Sequence, residues 1–338
     1  MGISRAVLLF AAFLFATLLS MARPGLAEPS RMRVATQLGL TNLPMMIMED
    51  EKLVEKRAKE AGLGDIEMVW SRVGAGEAMT DALLSGAIDF GSASVPTFLV
   101  IWDKTFGNYK VKGIGAYTAM PLFLLVRDPK IQSIADFTDK DRIALPGVQS
   151  SSHAVILEME AERVFGPGNA RKLDALTVSR SHPDATAAFL SGAPEITAHF
   201  SAPPFQNIEL EREGVRRILS SRDVYGGPGT IGLTLATSRF CDPNPKSCGA
   251  FFEAQKDALA VIHNDKHKAA EIYLRISKVR DTLENIEKLL QVPDTDYDIT
   301  PRGIMKVAAF MHRIGTIKHL PGSWQETFFP YAQDLAGN

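Results

Sequence analysis

An α/β fold arranged as two lobes of like topology is predicted by three features of the sequence. Strand-like and helix-like segments alternate from Arg33 onward, the pattern of sheets covered by helices. One strand–helix–strand plan occurs twice: Val69-Trp70-Ser71-Arg72 leads through a helix ending Ala82-Leu83-Leu84-Ser85-Gly86-Ala87 to a strand and Ser94-Val95-Pro96. Thr177-Val178-Ser179-Arg180 leads likewise through Ala188-Phe189-Leu190-Ser191-Gly192-Ala193 to a strand and Ser201-Ala202-Pro203-Pro204. Two lobes facing each other across a cleft explain the echo; chance similarity of common α/β pieces is the alternative. Third, 338 residues exceed one ordinary compact unit, and a 46% hydrophobic share is enough to bury a real core.

Each element has a local reason. Met32 to Thr36 reads as the first strand, Gly39 to Asn42 as a turn, and Pro44 lies near the start of a helix running to about Ala61, since Asn before an early Pro is a helix-start signal. Glu67 to Ser71 is a strand, and Glu77 to Ser85 a helix with Ala78, Ala82 and Leu83 at helical spacing. Gly86 to Phe90 leads into a strand, and Ser92 to Pro96 opens the next helix. Val111 to Ala119 and Pro121 to Val126 are strand-like. After Asp128 the pattern restarts: a short turn or helix at Ile134–Asp139, a strand at Arg142–Leu145, a loop through Ser152, and a helix from His153 to about Phe165. Leu176 to Ser179 is a strand, Asp184 to Leu190 a helix, and Thr230 to Thr237 an apolar strand. Phe251–His263, Lys266–Ile276, Leu283–Leu290 and Pro301–Arg313 are amphipathic helices.

The N-terminus belongs to targeting rather than fold. Arg5 precedes an unbroken apolar and small run from Ala6 to Ala22, and Gly25-Leu26-Ala27 offers small residues before a cut at Glu28. The run is shorter than the ~20 residues of a membrane span, so a cleaved signal peptide over residues 1–27 is expected rather than an anchor. A cut after Ala22 is the alternative. Removing residues 1–27 takes away Arg5 and Arg23 and no acid, which moves the net charge from −2 to −4. A mildly acidic chain without a basic stripe is a poor partner for nucleic acid. The two cysteines, Cys241 and Cys248, flank a Pro-rich segment expected to be a loop closed by a disulfide in an oxidising compartment.

Ligands of open α/β sheets bind beyond the carboxyl ends of strands, where helices begin and their free N–H groups favour negative charge. Three segments put Ser, Thr or Asn at such starts: Thr41-Asn42, Ser92 to Ser94, and Ser150-Ser151-Ser152. Plain capping explains each one alone. Arg72 and Arg180 follow strands of the repeated unit and have the fork that pairs with anions. Trp70, Tyr117, Phe200, Phe205 and Tyr225 lie near strand ends as aromatic walls, with core packing as the ordinary alternative for each. His153, His182 and His199 lie near loop or strand ends but lack metal-ligand spacing. Asp89 and Glu195 close the two repeated units. No Gly-x-Ser-x-Gly elbow or phosphate-binding Gly-rich Lys motif is present, so no catalytic residue, metal or cofactor is assigned.

The order of loose motifs carries a resemblance. Val34-Ala35-Thr36, Pro44, Leu84-Ser85-Gly86-Ala87-Ile88-Asp89-Phe90-Gly91, Pro96, Ile134-Ala135-Asp136-Phe137, Asp139-Lys140, Ile143-Ala144-Leu145-Pro146 and Ser150 to Ser152 follow one another over the whole mature chain. Together they resemble the nitrate/sulfonate/taurine/bicarbonate-binding family of ABC transporter substrate-binding proteins. The resemblance implies a type II periplasmic-binding-protein fold, with residues 28–119 and 227–338 in one lobe and 120–226 in the other. It implies hinge strands near Tyr117–Pro121 and Gly226–Ile231, closure over a small solute, and delivery to an ABC permease from the periplasm. A monomer and an organic anion, sulfonate or carboxylate, are expected. An enzyme on the same fold, desulfinase-like or pyrimidine-synthase-like, would call for a catalytic Cys or a Cys-rich motif in the cleft. A solute-binding sensor is the other rival.

Overall fold

A computed structural model describes residues 28–73, 76–148, 151–292 and 295–338. The expected signal peptide, residues 1–27, lies outside them. β1 (Arg31–Thr36) begins with exposed Arg31 and ends in three buried residues, Val34 to Thr36. α1 (Leu43–Asp50) carries Pro44 in its first turn, where no N–H is missed. α2 (Leu53–Glu60) is separate, so the helix expected to run to Ala61 is interrupted. Lys52 takes a left-handed φ of 51°, and the turn brings Leu53, Val54 and Ala58 onto the core. β2 (Glu67–Arg72), α3 (Gly76–Leu84), β3 (Phe90–Ser94), α4 (Val95–Thr105) and β4 (Val111–Thr118) follow.

Residues 119–122 carry the chain into a second sheet. There lie β5 (Phe123–Val126), β6 (Ile143–Leu145), α5 (Ser152–Phe165), β7 (Thr177–Ser179), α6 (His182–Ser191), β8 (Ala198–Ser201), α7 (Phe205–Leu210), β9 (Arg216–Ser220) and α8 (Ser221–Tyr225). Residues 226–231 return it to the first sheet as β10 (Gly232–Thr237). α9 (Ser238–Cys241), α10 (Pro245–Asn264), α11 (Lys266–Ser277), α12 (Leu283–Gln291), α13 (Ile304–Arg313) and α14 (Pro330–Gln333) complete the first lobe. Cys241 and Cys248 are joined by a disulfide with Cα atoms 5.7 Å apart. Of the expected Pro-rich loop, Asp242 to Asn244 form a turn and Pro245 to Ser247 are already helix. Pro245 opens α10, and the bridge ties the end of α9 to the first turn of α10.

The two sheets have the same topology, strand for strand. Their orders are β2-β1-β3-β10-β4 and β7-β6-β8-β5-β9. β1 is parallel to β2 and β3, while β10 runs against β3 and β4. β6 is parallel to β7 and β8, while β5 runs against β8 and β9. The reversed strand in each sheet is the first one made after the chain crosses over. The internal sequence echo therefore pairs β2 with β7 and β3 with β8.

Each lobe has its own core. Phe90 of β3 stacks on Phe251 of α10 with ring centroids 4.0 Å apart. In the second sheet successive side chains divide between faces. Leu124, Ile143, Leu145 and Phe200 pack on one, and Leu125, Ala144, Phe189 and Ile196 on the other. The crossings are stitched by Ile231 N–H to Thr118 C=O at 2.8 Å and by Ser221 N–H to Leu122 C=O at 2.9 Å. α5 also rests on α4 and α13, and Glu162 pairs with Arg313 across the lobes. Among the described residues no helix is long and apolar enough to cross a membrane.

Candidate functional site

The topology dictates where a cleft lies. The first crossing leaves the end of β4 and enters the start of β5. Because β5 is antiparallel to its neighbours, its start lies at the edge where β6, β7 and β8 end. The carboxyl-terminal edges of both sheets thus face each other, and the helices that begin there point their free N–H groups into the gap.

On the first lobe the edge carries a buried polar network. Tyr117 Oη donates to Asn42 Oδ1 at 2.9 Å, and Asn42 Nδ2 donates to Thr41 Oγ1 at 3.3 Å. Ser92 Oγ donates to Thr36 Oγ1 at 3.4 Å. Tyr117 is 2% exposed, and burial holds its hydroxyl well above the usual phenol range. Its ring lies against the bare Cα of Gly232. Ser92 is inside β3, and Ser94 is the residue that caps α4, accepting from Thr97 N–H at 3.4 Å. Arg72 is ion-paired with Glu49, both side chains half-buried, so its charge is already met. Trp70 packs against the first-lobe core.

The second lobe supplies polar atoms with no partner among the described residues. Ser151 caps α5, accepting from Ala154 N–H at 3.2 Å, and its hydroxyl donates to Gly147 C=O at 2.5 Å. The next residues differ. Ser152 Oγ, His153 Nε2 and Ser201 Oγ are buried without a hydrogen-bond partner among the described residues. Ser150 lies outside the described residues. Burial pushes the His153 imidazole down to about 3, helped by nearby His199 and partly offset by a bond to the Ser201 backbone. His182, at the start of α6, is also held well below its ordinary value, first by burial and then by His153 and His199. Arg180 follows β7 and is exposed. Tyr225 packs against both lobes' cores, with a buried hydroxyl that has no partner among the described residues. Phe200 is fully buried in the second-lobe core, edge-on to His153 at 5.3 Å. Among the described residues no group of three or more His, Cys, Asp and Glu side chains is arranged to hold a metal ion.

Of the residues singled out from sequence, Asn42, Ser92 and Tyr117 fall in one network, and Ser151 and Ser152 stand at one helix start. Thr36 and Ser201 were not singled out, although each ends a central strand, where a polar residue is the usable signal. Two exposed apolar residues, Leu38 and Val148, also follow the ends of β1 and β6. A separate depression of about 190 Å³ lies at the opposite edge of the first sheet, by Arg33, Asp89, Tyr109 and Phe240. There Arg33 and Asp89 are ion-paired at 2.7 Å.

Neither a protein-family model nor a curated protein matches the sequence. Solved structures do match in fold. The periplasmic aliphatic sulphonate binding protein SsuA of Escherichia coli is 18% identical, with a TM-score of 0.68 over 90% of this chain and 99% of its own. The alkanesulfonate-binding protein SsuA of Xanthomonas axonopodis pv. citri, bound to MOPS, is 17% identical with a TM-score of 0.68, over 92% of this chain and 100% of its own. The periplasmic nitrate-binding protein NrtA of Synechocystis PCC 6803 is 15% identical with a TM-score of 0.63, over 89% of this chain and 84% of its own. The chain has the two-lobed α/β fold of the periplasmic binding proteins.

Proposed function

We propose that this chain is an exported solute receptor that closes its two lobes over a small organic anion and hands it to an ABC importer. The observation that carries the reading is a pair of buried hydroxyls with no partner among the described residues, Ser152 Oγ at the head of α5 and Ser201 Oγ at the end of β8 beside His153. An unpaired buried hydroxyl is costly, and a bound anion would relieve the cost for both at once. α5 adds its first free N–H groups and the positive end of its dipole. Sulfonates and nitrate are what the named structural neighbours bind, by their own descriptions, and both suit such a cradle.

In this reading the lobes comprise residues 28–119 with 227–338, and 120–226, hinged at the two crossings. Residues 1–27 direct export to the periplasm, and the receptor acts as a monomer on a membrane permease without doing chemistry. The only two thiols are joined in a disulfide on the first lobe, which leaves none to act as a nucleophile. Of Arg72 and Arg180, the second is the one with no ion pair among the described residues and so able to approach the ligand, because Glu49 engages Arg72.

The test is thermal unfolding of the protein from Glu28, refolded to strip bound solute, against sulfonates, carboxylates, nitrate, amino acids and neutral pyrimidines. Binding to the native state alone raises the midpoint by mass action. A rise with one class of anion is expected. A rise only with a neutral heterocycle would overturn the anion assignment.

A further inference from the structure

Four side chains of the second lobe form a continuous chain from the interior to the start of α6. Thr186 Oγ1 donates to Glu209 Oε1 at 2.5 Å. The same oxygen lies 2.6 Å from His199 Nδ1, and His199 Nε2 lies 3.0 Å from His182 Nδ1. Glu209 and His199 are fully buried, while His182 is half-buried. The two nitrogens of an imidazole point away from each other. With Nδ1 turned to His199 in β8, His182 Nε2 points away from that residue; the ring centroids of His153 and Phe205 lie 5.1 and 5.9 Å from that of His182.

The protons in this chain follow from its chemistry. Taken as a carboxylate, Glu209 only accepts, so His199 carries its proton on Nδ1 and leaves Nε2 bare; the other carboxyl oxygen, Oε2, is buried with no partner among the described residues. His182 must then donate from Nδ1, and its own Nε2 is left as a lone pair. In that state the chain carries one negative charge and ends in an acceptor, and both features repel an anion. One added proton reverses both. It either sits on His182 Nε2 or relays inward to Glu209 while each imidazole turns over its N–H. In both cases the chain is neutral and His182 Nε2 becomes a donor.

We infer that an anion occupies this cleft together with one proton, taken from solvent by the Glu209–His199–His182 chain, with His182 Nε2–H as a donor to the bound anion. The inference rests on the anion-receptor reading above. The groups facing His182 are His199 from β8, Glu209 from α7 and His153 from α5; on its own helix, Asp184 is bonded to Ser181. Arg127, at the end of β5, stacks on Phe189, whose ring in turn flanks His199. Burial keeps His182 and His153 unprotonated at neutral pH in the empty cleft, so the proton arrives with the anion. Affinity should therefore rise as pH falls towards the value at which the free chain itself would protonate, and should fall on the alkaline side.

Calorimetric titration tests this with ethanesulfonate, butanesulfonate and benzenesulfonate, which stay ionised at every pH used and bring no proton of their own. Titrations in phosphate and in Tris, whose ionisation heats differ, count the protons. Near pH 7 the wild type should take up about one proton per sulfonate bound, and affinity should fall up to about tenfold per pH unit above that. His182→Gln should abolish the uptake and flatten the profile while still unfolding cooperatively. Glu209→Gln begins neutral and can donate from its amide, so it should bind without uptake. Binding to the wild type with no proton uptake and a flat pH profile would overturn the inference and leave the receptor reading standing. No binding of any sulfonate between pH 5 and 8.5 would overturn both.

Discussion

Gly232→Ala is the substitution whose effect the geometry specifies most fully. Gly232 sits in β10 opposite Ser94 and Thr118. A Cβ there would fall 2.5 Å from Tyr117 Cε2, 2.8 Å from Cζ and 2.9 Å from Thr118 Cγ2. Carbon contacts need about 3.5–4.0 Å, so the Tyr117 ring must move by roughly 1 Å. It is buried, and its hydroxyl is held by Asn42. Overpacking costs about 1–3 kcal/mol, and the strained or lost buried hydrogen bond about 1 kcal/mol more. The protein begun at Glu28, as used for thermal unfolding, has 311 of the 338 residues. At about 2.1 cal/mol/K per residue, a loss of about 2–4 kcal/mol lowers the midpoint by roughly 3–6 °C. Differential scanning calorimetry, with Tyr117→Phe alongside, separates the two parts. Removing only the hydroxyl should cost about 1.5 °C. Sulfonate affinity should fall in Gly232→Ala as well, because Asn42 and Ser92 share that wall. A midpoint within about 1 °C of wild type would refute the close approach of β10 to Tyr117.

Ser152→Ala removes a hydroxyl that no group among the described residues satisfies, so the melting midpoint should hold or rise slightly while sulfonate affinity drops about tenfold. Unchanged affinity in titration would take the head of α5 out of the site. For His153 the folded value is about 3 against an ordinary 6.5, so the unfolded chain takes the proton first. Its contribution is therefore intact above pH 6.5 and declines towards pH 3, by up to about 1.4 kcal/mol per pH unit. Glu158, raised by burial from 4.5 to about 7, opposes this, since its contribution is lost as pH rises through that window. Denaturant melts of His153→Gln from pH 4 to 8 should show a shallower acid-side loss than wild type. Glu28 accepts from Lys246 N–H at 2.9 Å, and from Ser247 N–H at 2.6 Å and its hydroxyl at 2.7 Å, at the head of α10. Glu28→Ala should therefore lower stability by about 1–2 kcal/mol in the same melts, and an unchanged midpoint would contradict that capping role.

Much of the fold was readable because it rests on short-range rules. Apolar residues at period two marked strands and at period 3.6 marked helices, and the repeated Ser-Gly-Ala ending of two helices pointed to lobes of one topology. Local exceptions escaped. Lys52 breaks a run of good helix formers because Leu53 and Val54 must turn onto the core. The prolines between the cysteines read as loop, whereas Pro245 is a first-turn proline. The candidate site was legible only in outline. Helix-start residues such as Ser94, Ser151 and Ser152 announce themselves by type and position. The likeness among them hides that Ser94 and Ser151 are occupied as caps and Ser152 is not.

By itself, then, the sequence determined the alternation of strands and helices and the repeated unit behind two α/β lobes, since these depend on neighbours a few residues apart; the crossings were placed by the family resemblance. Only the tertiary structure decided which of those side chains are free. Arg72 lost its claim on an anion to Glu49, on a helix 23 residues earlier, and His199 gained Glu209 from the helix beyond its own strand. The physical reason is that a charge or a lone pair is committed by whatever folds against it, and that partner is set by strand register and helix packing rather than by the residue's own surroundings in the chain.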